Sequence, residues 1–297
     1  MKITLRQLAI FEAVARLNSV SQAAKELHLS QSAASLALQD LEHALGVALF
    51  DRRQKKLSLN GHGLRLQPQA RSMLAMAQEI ESATPDSPAG VLRVAATATI
   101  GNYLLPRLCT DFLSLRPNVQ IRFSVAEEAE ILEKVQEFAL DLGFIEGGST
   151  RHMLMVEPWL KDELVVIASP RHWAASRTVP MQALRDETWF LQPIGSSTRH
   201  RFTQAYSAVL WSSPIRFESN SLEAIKGAVA AGNALGCLSR LAVHDELASG
   251  RLVALRIANF HITRDLSMVT RKDAFQAEPQ AGFIEQARRF AGRRDRH

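Results

Sequence analysis

The chain has 297 residues, 46% hydrophobic and 22% charged, the balance of a globular protein with room for two or three domains. Disordered and fibrous classes are excluded, and no run of about 18 apolar residues marks a membrane helix. The net charge of +5 is uneven: residues 1–78 carry ten Lys/Arg against five Asp/Glu, residues 79–287 twenty against twenty-four, and the last ten residues five Arg and one Asp. A basic N-terminal quarter ahead of a mildly acidic body points to a polyanion as partner of the N-terminal part.

The opening MKITLRQLAIFEAVARL scatters charges among its apolar positions and does not read as a secretion signal, so a cytoplasmic location and no membrane partner are expected. Along it, Leu5, Leu8, Ala9, Phe11, Ala15 and Leu17 recur at amphipathic-helix spacing. Ser19 is placed to cap a second helix carrying Ala23, Ala24 and Leu27. Ser30 is placed to cap a third, with Ala33, Ala34, Ala37, Leu38, Leu41 and Ala44 inside and Gly46 at its end. Adjacent alanines let two helices cross steeply over a short turn, here at His28-Leu29-Ser30, where helix-turn-helix proteins often place Gly. His is among the non-glycine residues enriched in the left-handed conformation that such a turn uses.

On that reading Gln31, Ser32, Ser35, Leu36 and Gln39 face outward from the third helix. Gln can pair with adenine, Ser with several base edges, and Leu36 can touch a thymine methyl, so the absence of Lys and Arg from this helix does not prevent base reading. Charge is supplied next, in LFDRRQKKLSLNGHG, where Arg52, Arg53, Lys55 and Lys56 lie between two short apolar pieces, the pattern of a wing that reaches phosphates. Each element alone fits an ordinary three-helix bundle with a solvated basic loop. Their conjunction in this order favours DNA.

The run TLRQLAIFEAVARLNSVSQAAKELHLSQSAASLALQDLEHALGVALFDR, continued by LSLNGHG, resembles the N-terminal signature of LysR-type transcriptional regulators, and the likeness extends through the chain. Leu36 departs from it, since many members carry Arg there. The resemblance implies a winged helix-turn-helix over residues 1–60, a linker and dimerisation helix over 61–83, a hinge over 84–90, and an effector-binding domain over 91–297 with a two-lobed, periplasmic-binding-protein-like α/β architecture. Its implied partners are double-stranded promoter DNA, a small-molecule effector, RNA polymerase, and the chain itself as homodimer or homotetramer.

Leu66, Ala70, Met73, Ala77 and Ile80 are spaced 4, 3, 4 and 3 along the linker, a heptad seam suited to pairing two DNA-reading heads; packing on its own domain is the alternative. SATPDSPAG then breaks the helix. From Val91 strand and helix patterns alternate in two blocks, arguing for a largely parallel sheet. The first lobe is expected at about 91–162 and 261–297, with ITRDLSMVTRK and the last helix returning to complete it, and the second at about 163–260.

Three stretches combine a strand end, hydroxyl or amide side chains and a helix start: Thr97, Thr99, Ile100, Gly101 and Asn102; Gly195, Ser196, Ser197, Thr198 and Arg199; and Asn220 with Ser221. Free N–H groups at helix starts and converging hydroxyls suit a small anion, although each stretch alone is explained by helix capping. The family places effector contacts at turns corresponding to Thr99 and to Ser196–Thr198. Glu127 and Glu146 also follow strand patterns; a carboxylate repels an anion, so their role stays open. TIGNYLLPRL, DLGFIEG and EPWLKDELVV look most like the branch that controls sulfur assimilation, sulfite handling and carbon fixation, which makes sulfite the first expected effector and a small carboxylate the second.

No cofactor and no metal are expected. Cys109 and Cys237 lie 128 residues apart outside any CxxC or Cys/His cluster, as reduced core thiols would. GxSxG, Walker A, GxGxxG after a strand, and HExxH are all missing, so an enzyme on a two-lobed fold is not favoured, while the lack of a secretion signal and the basic N-terminal head argue against a solute receptor without a DNA role.

Overall fold

The computed structural model describes residues 2–53, 56–82, 90–210, 213–272 and 278–294. Its head begins with α1 (Leu5–Leu17), α2 (Val20–Glu26) and α3 (Gln31–Leu45). Hydroxyls cap all three: Thr4 accepts from the Gln7 N–H in a reciprocal capping box, Ser19 from Gln22 and Ser30 from Ala33. His28 turns the chain between α2 and α3 with φ of 54°, the left-handed conformation read from the sequence. β1 (Phe50–Arg53) and β2 (Lys56–Leu59) form the wing, antiparallel from Phe50↔Leu59 to Arg53↔Lys56. α4 (Gly61–Ser82) leaves the wing and packs on α1.

Leu8, Phe11, Val14, Ala23, Ala24, Ala34, Leu38, Leu41 and Leu49 form the head's core, with Ala70 of α4. Three sequence expectations are corrected. Leu5 and Ala33, each in the first turn of its helix, are exposed, while Ile10, Ala13 and Val14 are buried in α1. The seam on α4 is divided: Ala70 and Leu66 pack on their own head, leaving Met73 and Ile80 exposed.

The remainder opens with β3 (Val91–Ala96), α5 (Ala98–Tyr103), α6 (Leu105–Leu115), β4 (Gln120–Val125), α7 (Glu128–Gln136), β5 (Leu142–Ile145) and β6 (Leu154–Ala168). β7 (Thr178–Pro180), β8 (Trp189–Leu191), α8 (Ser197–Leu210), β9 (Ile215–Glu218), α9 (Leu222–Ala231), β10 (Leu235–Ser239) and α10 (His244–Ala248) follow. β11 (Val253–Ala254), β12 (Arg256–Ala258), β13 (Ile262–Arg271) and α11 (Glu278–Arg294) complete it.

The main sheet runs β4-β3-β5-β13-β6-β10-β8-β9, with β11 added beside β6. Its outer thirds are parallel, as expected, but β6 and β13 form a long antiparallel pair through the middle, so the sheet is mixed. These two strands belong to both lobes. Trp159, Leu160, Leu266 and Met268 join the first lobe's core with Phe112, Phe144 and Phe283, whereas Leu164, Val166 and Ile262 join the second with Trp189, Phe202 and Cys237. A bulge between Leu266 and Ser267 lies close to where the strands pass from one core to the other. No helix among the described residues is long and apolar enough to cross a membrane.

Candidate effector cleft and DNA-reading face

On α3, burial of Ala34, Leu38 and Leu41 turns the opposite face outward. Gln31, Ser32, Leu36 and Gln39 are exposed and Ser35 half-exposed, one contiguous face at the N-terminal end of the helix. Leu36 is 60% exposed, an unpaired apolar side chain in the middle of a polar face. The backbone of Arg52, Arg53 and Lys56 lies in the two strands of the wing beside it, while Lys55 lies outside the described residues.

Where the lobes meet, the organising residue is Arg264, which sequence reasoning missed. Its side chain is fully buried. Nε donates to Asp162 Oδ2 at 2.8 Å, Nη1 to Glu146 Oε2 at 2.5 Å and Thr198 Oγ1 at 3.0 Å, and Nη2 to Thr99 Oγ1 at 3.2 Å. One guanidinium thereby joins both expected hydroxyl stretches, using the planar fork that suits Arg to several acceptors at once. Ser239 Oγ donates to Asp162 Oδ1 at 2.7 Å. Burial pushes the Asp162 carboxyl above its usual range, an effect Arg264 and Ser239 partly oppose.

Glu146 is bound on both oxygens, Oε1 accepting from the Thr99 N–H at 3.3 Å. Ser197 Oγ donates to the Glu146 carbonyl at 2.9 Å, a second tie between the lobes. Both oxygens of Glu146 are thus engaged within the protein, one by Arg264 and one by Thr99. Glu127, by contrast, is exposed, and the residue turned inward is Glu128, whose carboxyl is pushed up by burial and by the charge of Glu146. The one-residue difference arises because Glu127 occupies the extended N-cap position of α7 and the helix begins at Glu128.

The other predicted residues divide into two groups. Thr97 and Arg199 are buried, and neither Thr97 Oγ1 nor Arg199 Nη1 has a hydrogen-bond partner; the nearest charge to that nitrogen is Glu218 Oε1 at 3.8 Å. Burial lowers the Arg199 pKa from its ordinary value. Ser196 accepts from the Arg199 N–H at 3.1 Å and so caps α8, just after Gly195 turns the chain at φ of 109°. The rest are packed in a core, capping a helix or exposed. Ile100 belongs to the first lobe's core, and Gly101 lies so close to β4 that a Cβ would stand 2.8 Å from Val125. Asn102 and Asn220 are exposed, and Ser221 caps α9 by accepting from Ala224, the alternative reading of that stretch. α5 has six residues, too short for a strong dipole at its start.

The signal for Arg264 and Asp162 was present in the sequence. Both occupy the inward phase of a strand alternation, Arg264 between Ile262 and Leu266 and Asp162 between Leu160 and Leu164. A charged residue in that phase marks either a break in the strand or a paired interior charge.

Residues 5–64 match the family model for the bacterial regulatory helix-turn-helix protein, lysR family, and residues 85–292 match the LysR substrate binding domain. The chain belongs to the LysR family of transcriptional regulators. It is 40% identical over 266 residues to the HTH-type transcriptional regulator YeiE of Escherichia coli (strain K12), covering 90% of each chain. It is 31% identical over 286 residues to the RuBisCO operon transcriptional regulator of Allochromatium vinosum, covering 95% of this chain and 94% of the relative. CysL of Bacillus subtilis (strain 168) is 29% identical over 266 residues, covering 88% and 89%. Among solved structures, a full-length OxyR from Pseudomonas aeruginosa, carrying one cysteine-to-aspartate substitution, superposes with a TM-score of 0.70 at 25% identity, covering 98% of this chain and 95% of that one. The Synechocystis CcmR regulatory domain in complex with 2-PG gives 0.63 at 28% identity, covering 68% and 97%. These LysR-type relatives fit both halves of the molecule: a DNA-binding head and a two-lobed effector-binding domain.

Proposed function

We propose that this LysR-type regulator reads promoter DNA through Gln31, Ser32, Ser35, Leu36 and Gln39, holds phosphates through Arg52, Arg53, Lys55 and Lys56, and takes a small oxyanion, sulfite first, between its lobes. The observation that carries the effector reading is the pair of unsatisfied buried groups, Thr97 Oγ1 and Arg199 Nη1. Buried donors without acceptors are costly, and an oxyanion supplies acceptors to a hydroxyl and a guanidinium alike. Resemblance to the sulfur regulator CysL and to regulators of carbon fixation supports sulfite ahead of other anions, with small carboxylates next. No cofactor enters this reading.

Charge refines the choice. With both carboxyls ionised, Arg264, Glu146 and Asp162 together are net negative, and Glu128 adds to that field. A singly charged oxyanion is therefore preferred over a doubly charged one, which for sulfite means its protonated form, hydrogensulfite. Contact with Thr99 or Thr198 would compete with bonds that Arg264 now makes across the lobes, giving the ligand different affinities for two lobe arrangements, as allostery requires. The linked heads and RNA polymerase would sense that rearrangement.

Assembly as a homo-oligomer is supported by the surfaces left apolar: Met73, Met76 and Ile80 on α4, and Phe123, Val125 and Phe217 on the two edge strands β4 and β9. Light scattering of an Ile80→Glu variant tests it; an unchanged mass would remove α4 from the interface.

The effector is tested by the melting temperature of the full chain against sulfite, sulfate, thiosulfate, phosphate, bicarbonate and small carboxylates. A ligand at 100 times its dissociation constant stabilises by about 2.7 kcal/mol if it binds only the folded state. A shift with sulfite that is lost in Thr97→Val and Arg199→Gln supports the reading. A shift with carboxylates alone replaces the effector, and no shift with any of them removes the oxyanion.

A further inference from the structure

We propose a second ligand site, at the far end of α5 from the effector cleft, that takes a free α-amino acid with a short uncharged side chain. Thr97 is the N-cap residue of α5 and Tyr103 ends the helix, so the two sites are separated by its length, about 9 Å at 1.5 Å per residue. The cavity there holds about 570 Å³ and borders Tyr103, Lys161, Lys226 and Glu246, within the ~300–1,000 Å³ typical of small-molecule sites.

Its floor is a buried charge cluster with one vacancy in its hydrogen bonding. Lys226 Nζ is fully engaged, lying 2.7 Å from Glu223 Oε1, 3.2 Å from Glu246 Oε1 and 3.0 Å from the Ala242 carbonyl. Glu246 Oε1 also accepts from Arg251 at 2.6 Å. Glu246 is 6% exposed, and its other oxygen, Oε2, is buried with no partner. A buried carboxylate oxygen calls for a donor, and the neighbouring cations already serve other acceptors. An ammonium group supplies that donor.

The rim differs from the floor. Lys161 and His244 are exposed there and offer a cation and a ring nitrogen to a carboxylate, while Leu160, Leu241 and Ala242 form an apolar wall. A simple amine would leave Lys161 unused, and a dicarboxylic acid would meet Asp245 and Glu246. Ammonium, carboxylate and a short uncharged side chain together match floor, rim and wall. The site also spans the two lobes: Tyr103 Oη donates to Glu223 at 2.7 Å, and Lys226 Nζ lies 5.2 Å from the centre of the Tyr103 ring. Lys161 adjoins Asp162, the partner of Arg264, so an occupant touches the strand that frames the effector cleft.

The test is calorimetry and thermal melting of the full chain with L-alanine, L-valine, L-leucine and L-methionine, beside the N-acetyl and methyl-ester form of each. At least one free amino acid should bind, with both blocked forms weaker by about tenfold or more, the range of one lost charge-assisted hydrogen bond. Lys161→Ala, a change at an exposed residue, should weaken binding several-fold, and Glu246→Gln should weaken it further. If Glu246→Gln fails to fold, Lys161→Ala and the blocked ligands decide the matter. Absence of binding, equal binding of the N-acetyl forms, or binding that survives Lys161→Ala but is lost in Thr97→Val would overturn the proposal. A negative sulfite result at the cleft would leave it untouched.

Discussion

Arg264 and Asp162 stand directly opposite each other in the β13–β6 register and close a 2.8 Å ion pair with no exposed side-chain surface on either. Such a pair is held by mutual need, because removing one partner strands the other charge in a fully buried site. Arg264→Met would strand Glu146 as well. The expected loss is about 3–5 kcal/mol at neutral pH, a range measured for broken buried pairs. Asp162 already titrates above its usual range, and without Arg264 its carboxyl rises further. The folded variant then binds protons more readily than the unfolded chain, so its stability should increase as pH falls from neutral to mildly acidic. Melting temperatures of wild type and variant across that range check both statements; a variant as stable as wild type would refute the account of the hub.

The caps of the head make a second prediction. Ser30 Oγ accepts from the Ala33 N–H at 3.2 Å at the start of the reading helix. Ser30→Ala should cost about 1 kcal/mol, with loss of operator affinity if the first turn frays. His28→Gly should act oppositely, relieving a left-handed residue at φ of 54°, with a gain limited to roughly 1 kcal/mol by the added freedom of the unfolded chain. Chemical denaturation of both variants gives the signs.

How much of this could be read in advance follows from where the information lies. Caps, the short turn and apolar spacing are local, so α2, α3 and the wing were legible, and His28 could be assigned its unusual conformation from sequence. The hub was not, because Arg264 is 102 residues from Asp162 and 118 from Glu146, and only tertiary pairing makes a charge tolerable in a buried strand phase. The sequence points to Glu127 where the structure turns Glu128 inward, because the start of α7 sets the facing, and a boundary moves by a residue more easily than an element appears or vanishes. Leu66 and Ala70 fit a dimer seam by spacing, yet the same spacing serves packing against α1. Periodicity shows that a face is buried but not against what.

Base reading and phosphate binding should separate in DNA titrations. Gln31 is exposed at the first position of α3, and Gln31→Ala should reduce discrimination between operator and mismatched sites by about 1–3 kcal/mol at one base position. Arg53→Ala should weaken binding to every sequence and lower the slope of log affinity against log salt by roughly 0.9. Footprints over a salt series distinguish the two. Unchanged preference in Gln31→Ala would take base reading away from the start of α3.

Tyr103 gives a spectroscopic test of the contact between lobes. Burial and the hydrogen bond to Glu223 push its hydroxyl up to about 12, while Tyr206 is raised less. The folded chain therefore keeps this proton when the unfolded chain has lost it, and the stabilisation, complete below the ordinary tyrosine range, disappears as pH rises toward 12. Phenolate absorbance should show two steps, with the later one missing in Tyr103→Phe. That variant should also lose about 1 kcal/mol for the hydrogen bond. A single step at the ordinary value in wild type would mean that the lobes are not joined at Tyr103.

The thiols supply the last prediction. Burial pushes Cys109 up to about 11 and Cys237 higher still, with Cys237 wholly inside the second lobe's core. Nucleophilic attack and peroxide oxidation both proceed through the thiolate, which is scarce for either residue at neutral pH. Iodoacetamide should label the native chain slowly and the denatured chain fully, and operator affinity should not change after mild peroxide. Cys237→Ser should cost more stability than Cys109→Ser, since only Cys237 is fully buried and a hydroxyl there needs a partner. Rapid native labelling, or peroxide-dependent DNA binding that is lost in Cys109→Ser, would instead make this regulator a thiol sensor.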